Sequence, residues 1–175
     1  MRHANHEILI SAQDIENRVR ELAAEIDAAF DGKHLTIVMI SNGAIIFAAD
    51  LVRKISIPLH LDTISVSSYI GSRSSNQVNI LSQLKLDIKG RSVLVVDDII
   101  DTGQTLAAVL DELRGMQPVD LKTCVLLDKN IGVTRKVVPD FTGFEIADKF
   151  VVGYGLDYNE YYRNLPHIAL FDQES

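Results

Sequence analysis

The chain has 175 residues, is 47% hydrophobic and carries a formal net charge of −7, enough for one α/β domain with a sizeable core and too apolar for intrinsic disorder. The acidic balance disfavours non-specific nucleic-acid binding. A single Cys, Cys124, rules out an intrachain disulfide, and no run of about 18 apolar residues or apolar leader is present, so neither membrane insertion nor secretion is signalled. A reducing cytoplasm is the expected location.

In chain order, His6–Ile10 reads as a short strand, and a helix opens at Ser11 or Asp14 and runs to about Phe30, with Ile15, Val19, Leu22, Ala23 and Ile26 at helical spacing. Leu35–Ile40 is a buried strand, Ser41-Asn42-Gly43 a polar turn, and Ala44–Lys54 a helix. Strand, glycine-containing turn and helix have then alternated twice, which is parallel β-α-β construction. Leu59–Ser68 reads as a partly exposed strand, Tyr69–Gln77 as a mobile loop rich in Gly, Ser and Asn, and Val78–Leu81 as a returning strand.

Val93–Val96 is a four-residue apolar run of the kind buried on both faces of a parallel sheet. Asp97 and Asp98 stand where that strand is expected to end, at the sheet edge where open α/β folds bind ligands. Asp101-Thr102-Gly103-Gln104-Thr105 follows as a turn into a helix beginning near Leu106. Free N–H groups at a helix N-terminus, a glycine and two Thr hydroxyls suit a phosphate. Capping accounts for one acid of this motif, not for three within five residues beside a buried strand. A further strand, Leu121–Leu127, leads to Asp128-Lys129-Asn130, and past Pro139 the pattern changes to short strands and turns. Taken alone, Lys129 is compatible with a solvated surface cation and Phe150 with core packing.

The run from Val95 to Thr105 resembles the phosphoribosyl pyrophosphate (PRPP) signature of type I phosphoribosyltransferases. Ser68-Tyr69, Leu126–Lys129 and Asp148–Tyr158 extend the resemblance to the hypoxanthine-guanine group over nearly the whole chain. It implies a single-domain, doubly wound, mainly parallel α/β fold spanning 1–175. The core would cover about 12–140, with a small hood from about 1–11 and 141–175. It also implies transfer of the phosphoribosyl group of PRPP to hypoxanthine or guanine with Mg2+, in a homodimer or homotetramer that engages no membrane and no nucleic acid.

Carried onto matching positions, Asp97 and Asp98 hold the ribose hydroxyls, and Asp101, Thr102, Gly103, Gln104 and Thr105 hold the 5′-phosphate. Asp101 is also the expected general base. Lys129 donates to the 6-oxo group, Phe150 stacks on the base, Val151 reads its edge, and Asp157 lies by the base and assists the metal together with Asp97 and Asp98. Arg163, with Ser41, Asn42 and Gly43, faces pyrophosphate. Ser68 and Tyr69 begin the closing loop. Lysine carries only donors, so Lys129 complements a 6-oxo group and not the 6-amino group of adenine.

The chain departs from its relatives at Ser41-Asn42-Gly43, where many have a Lys or Arg in the middle, and at Gln104, where Lys is common. A cis peptide, if retained, falls at Ser41–Asn42. Two other readings stand beside the main one. One is a xanthine-preferring transferase, the other a regulator of the same fold that binds RNA or DNA.

Overall fold

The computed structural model describes residues 7–68, 78–132 and 134–171. Six strands form the central sheet in the order β4-β3-β2-β5-β6-β7. These are β2 (Leu35–Ser41), β3 (Leu59–Ser68), β4 (Val78–Ile80), β5 (Ser92–Ile100), β6 (Asp120–Asn130) and β7 (Phe141–Ala147). All neighbours are parallel except β3 and β4. The fold is the expected α/β class.

Helix α1 (Ala12–Ala29) starts where Ser11 Oγ accepts from the Asp14 N–H and donates back to the Asp14 carboxylate, so the N-cap satisfies itself. Its apolar stripe, Ile15 to Ile26, is fully buried. With α2 (Ile45–Val52) it covers one face of the sheet, against Leu35, Ile37, Leu94 and Val96. Helix α3 (Gln104–Gly115) covers the other, against Val38, Val93, Val95 and Val125. Alternate residues of β5 therefore enter different cores, which is why Val93–Val96 carries no polar face.

The crossovers leave β2 and β5 in opposite directions, β2 leading through α2 to β3 and β5 through α3 to β6. The gap between β2 and β5 is therefore the topological switch point of the sheet.

Of the boundaries that differ from the sequence expectation, three bear on the site and its surroundings. Strand β5 does not stop at Asp97-Asp98. It continues to Ile100 because Ile99 and Ile100 still pair with Leu127 and Asp128. Strand β6 likewise runs through Asp128 and Lys129 to Asn130, because β7 pairs with it as far as Asn130↔Ala147. The hood expected from about 141 begins after Ala147 instead, since Phe141–Ala147 completes the central sheet. Beyond it, β8 (Val151–Val152) and β9 (Ile168–Leu170) join β1 (Ile8–Ile10) in a separate antiparallel sheet, ordered β1-β9-β8. The closing loop expected from Tyr69 to Gln77 lies outside the described residues. Among the described residues no helix is long and apolar enough to cross a membrane.

Candidate active site

Pairing between β2 and β5 runs from Leu35↔Ser92 to Met39↔Val96 and then stops. Beyond that point β2 turns through Ser41-Asn42-Gly43 into α2, while β5 stays with β6. The divergence opens a cavity of about 280 Å³ lined by Ser41, Gly43, Asp97, Asp98, Asp101, Thr102, Gly103, Gln104 and Thr105. Nine expected site residues thus share one space. The Ser41–Asn42 peptide is cis, and Asn42 is exposed.

Gly103 caps α3 at φ 77°, a left-handed conformation that glycine adopts without the Cβ penalty. Thr102 Oγ1 accepts from the Gln104 N–H at 3.4 Å. The first turn of α3 points its unpaired N–H groups and positive dipole end at the cavity, so an anion is favoured there without a basic side chain.

Asp97 is only 6% exposed. Burial first, then the charge of Asp98, raises its pKa well above the usual carboxylate range. Burial also raises Asp98, offset by a hydrogen bond from Asp97, by the Ile99 N–H at 2.9 Å and by the positive charge of Arg163. A buried acid pair of this kind is relieved by hydroxyl donors or a cation placed beside it.

Lys129 lies 3.3 Å from Asp101 Oδ2, and its side chain is 13% exposed, so it is not a freely solvated surface lysine. Asp101 is exposed at the cavity wall. The cation expected to face the purine and the expected base are therefore partners in one ion pair. Lys129 also lies 3.3 Å from Asp148 Oδ1, a residue that the sequence reading passed over although it sits in the most specific stretch of the hood.

Phe150 is 43% exposed and not a core residue. Its edge contacts are Tyr158, at 5.9 Å between centroids and 89° between planes, and Phe171, at 5.7 Å and 61°. Tyr158 and Phe171 themselves lie 4.4 Å apart, and the Phe171 N–H donates to the Phe150 carbonyl at 3.0 Å. Neither partner was legible as a support for Phe150, because the cluster joins residues on separate turns. Val151 is buried and pairs with Leu170, which leaves its position fixed by the hood sheet.

Arg163 and Asp157 are placed differently from the cavity residues. Arg163 bonds Asp157 Oδ1 at 2.8 Å, the Gly155 carbonyl at 2.7 Å and Glu160 Oε2 at 2.9 Å. Asp157 Oδ2 accepts the Glu160 N–H at 2.9 Å. Arg163 lines a second cavity of about 480 Å³, between the hood and helices α1 and α2, rather than the one holding Asp97 and Asp98. Among the described residues no cluster of three His, Cys, Asp or Glu side chains forms a ready metal cage. Ser68 ends β3, where it pairs with Val78, and Tyr69 lies outside the described residues.

The acid pair and the start of α3 thus line one cavity at the switch point, with Lys129 bound to Asp101 on its wall. Residues 7–159 match the phosphoribosyl transferase domain family. A hypoxanthine-guanine phosphoribosyltransferase from Aquifex aeolicus is 44% identical over 167 residues, covering 94% of this chain and 94% of that protein. The hypoxanthine-guanine-xanthine enzyme of Tritrichomonas foetus is 40% identical over 167 residues, covering 95% and 91%. A solved hypoxanthine phosphoribosyltransferase from Staphylococcus aureus superposes with a TM-score of 0.90 at 38% identity, covering 95% of this chain and 91% of that one. The chain belongs to the phosphoribosyltransferase family, in its hypoxanthine-guanine group.

Proposed function

We infer that this chain transfers the phosphoribosyl group of PRPP to the N9 nitrogen of a 6-oxopurine, hypoxanthine or guanine, giving the nucleoside monophosphate and pyrophosphate. The observation that carries this reading is the Lys129–Asp101 pair at 3.3 Å, on the same sheet edge as the acid pair and the helix cradle. The 6-oxo group and N7 are neighbours on one edge of a purine. A donor and an acceptor side by side match that edge, and a 6-amino purine leaves Lys129 facing another donor.

The roles follow from position. Thr102 to Thr105 and the start of α3 hold the 5′-phosphate, and Asp97 and Asp98 accept from the ribose hydroxyls. Phe150 stacks on the base. Asp101 takes the N7 proton as the purine attacks the anomeric carbon, through an oxocarbenium-like state by analogy with glycoside chemistry. Ser41, Asn42 and Gly43 receive the leaving pyrophosphate through backbone N–H and the Asn42 amide, joined by Arg163 if it leaves its ion pair with Asp157.

Hard carboxylate oxygens at Asp97, Asp98 and Asp157 fit Mg2+, which characteristically binds one or two protein carboxylates and completes its shell with substrate oxygens and water. Bound with PRPP, it supplies charge neutralisation at the pyrophosphate. A cytoplasmic homodimer or homotetramer belongs to the same reading. The buried free thiol of Cys124 suits a reducing compartment, and Ile45 and Ile46, 48% and 37% exposed on α2, offer an apolar face for a second copy.

The test is turnover of hypoxanthine, guanine, xanthine and adenine with PRPP and Mg2+ under identical conditions. Hypoxanthine and guanine are expected to react and adenine not to. Xanthine as the preferred base would shift the specificity. No turnover with any base, together with salt-sensitive RNA or DNA binding, would favour a regulator of the same fold.

A further inference from the structure

The ammonium of Lys129 is held by two carboxylates, Asp101 Oδ2 and Asp148 Oδ1, each at 3.3 Å. Asp148 reaches it through the sheet. Parallel pairing of β6 with β7 sets Lys129 opposite Ile146 and Asn130 opposite Ala147, so Asp148 follows one step past the last pair, within ion-pair reach of the long Lys129 side chain. The Lys149 N–H then bonds the Ala147 carbonyl at 2.8 Å and tightens the turn that leads directly to Phe150.

We propose that Asp148 is a positioning residue for purine recognition, bracing the Lys129 ammonium beside Asp101 so that one of its donors is left for the 6-oxo group of the base. The proposal rests on the reading in which Lys129 contacts that group. An ammonium has three N–H donors and no acceptor. With Asp101 as its only partner, the cation settles on that carboxylate as a closed pair, and donor and base are spent on each other. A second carboxylate divides the attraction and fixes the direction of the remaining N–H.

Stability does not explain Asp148. Its side chain is 65% exposed, and ion pairs with so open a partner contribute little to folding. Its value lies in where it puts a cation that is itself largely shielded from solvent. Because the same turn carries Phe150, one short backbone segment sets both the plane of the stacked base and the donor at its edge.

The experiment compares Asp148→Asn, Asp148→Glu, Lys129→Ala and the double variant Lys129→Ala/Asp148→Asn, in the full chain with Mg2+ and PRPP. Loss of a charge-assisted contact at Lys129 is expected to raise KM for hypoxanthine and guanine by about 10-fold in Asp148→Asn. KM for PRPP and Tm should stay unchanged. Asp148→Glu should recover to within about 3-fold of wild type, since the carboxylate is kept on a longer stem. In the Lys129→Ala background, Asp148→Asn should add no further change, because its only target is gone. Wild-type purine KM in Asp148→Asn, with Lys129→Ala impaired, overturns the proposal and leaves the functional reading standing. An undiminished effect in the Lys129→Ala background also overturns it, since Asp148 would then act through the Phe150 turn. Unchanged purine KM in Lys129→Ala removes the underlying reading and this proposal with it.

Discussion

The phenol of Tyr154 donates a 2.7 Å hydrogen bond to Asp50 Oδ2 and so ties the hood to α2 across 104 residues of sequence. Tyr154 is 6% exposed and stands at φ 50°, one residue before Gly155. A Cβ on Gly155 would lie 2.1 Å from the Gly43 carbonyl. The latch therefore holds the hood close against the Ser41–Gly43 turn.

Tyr154→Phe removes the hydroxyl donor to Asp50 Oδ2 while Arg53 still bonds Asp50 Oδ1, and should cost about 0.5–1.5 kcal/mol of stability. A dependence on pH follows as well. Burial, then the Asp50 hydrogen bond, raises the Tyr154 pKa above the ordinary phenol value. The folded state thus retains its proton where the unfolded chain loses it, so this contribution is complete below pH of about 10 and declines as pH rises further. Urea melts at neutral pH and at increasing alkaline pH should show a steeper decline for wild type than for Tyr154→Phe. Parallel declines would mean that Tyr154 ionises as freely folded as unfolded.

Gly43 and Asp98 are equally close. A Cβ at position 43 would fall 1.9 Å from Asp98 Oδ2 and 2.6 Å from its Cγ. Gly43→Ala should therefore push the Asp98 carboxylate out of place and raise KM for PRPP. The folding cost, about 1–3 kcal/mol for an overpacked contact, is separable by comparing Tm with kinetics. Normal PRPP affinity in a folded Gly43→Ala protein would take Asp98 out of the ribose site.

Asp101→Asn keeps the shape of the side chain and removes the proton acceptor. Turnover should fall by about 100-fold to 10,000-fold, the usual size of a general-base loss, with KM for PRPP little changed. Near-normal turnover would reduce Asp101 to a partner of Lys129.

Asn42→Lys places a cation in the middle of the Ser41–Gly43 turn. Product inhibition by pyrophosphate should tighten, more at low salt than at high salt, because an exposed charge pair is screened. Turnover should fall if product release becomes limiting. Inhibition that is unchanged and insensitive to salt would place the Ser41–Gly43 turn away from the leaving group.

The parts of the site built from one continuous stretch were legible in the sequence. Val93 to Thr105 declares a buried strand, an acid pair and a turn into a helix, because hydrophobic run, carboxylates and glycine follow one another in order. The continuation of β5 to Ile100 was not, since the carboxylates interrupt the apolar pattern while the backbone goes on pairing with β6. The mixed sequence Phe141-Thr142-Gly143-Phe144-Glu145-Ile146 hid β7 for a related reason. It is an edge strand with one core neighbour and only Ile146 fully buried. The second partner of Lys129 depends on the register of that strand, which no local pattern states. Arg163 was placed by family likeness alone, and its ion pair with Asp157 arises from a hood turn containing several left-handed residues, among them Asn159, Glu160 and Tyr162.

The hood sheet joins distant parts of the chain, because β9 is the common partner of β1 and β8. Synthesis runs at about 5–20 residues per second and a domain folds as a unit, so Ile8–Ile10 is made long before the strand it pairs with. A truncation before Ile168 takes away the middle strand and leaves β1 and β8 with no sheet to join.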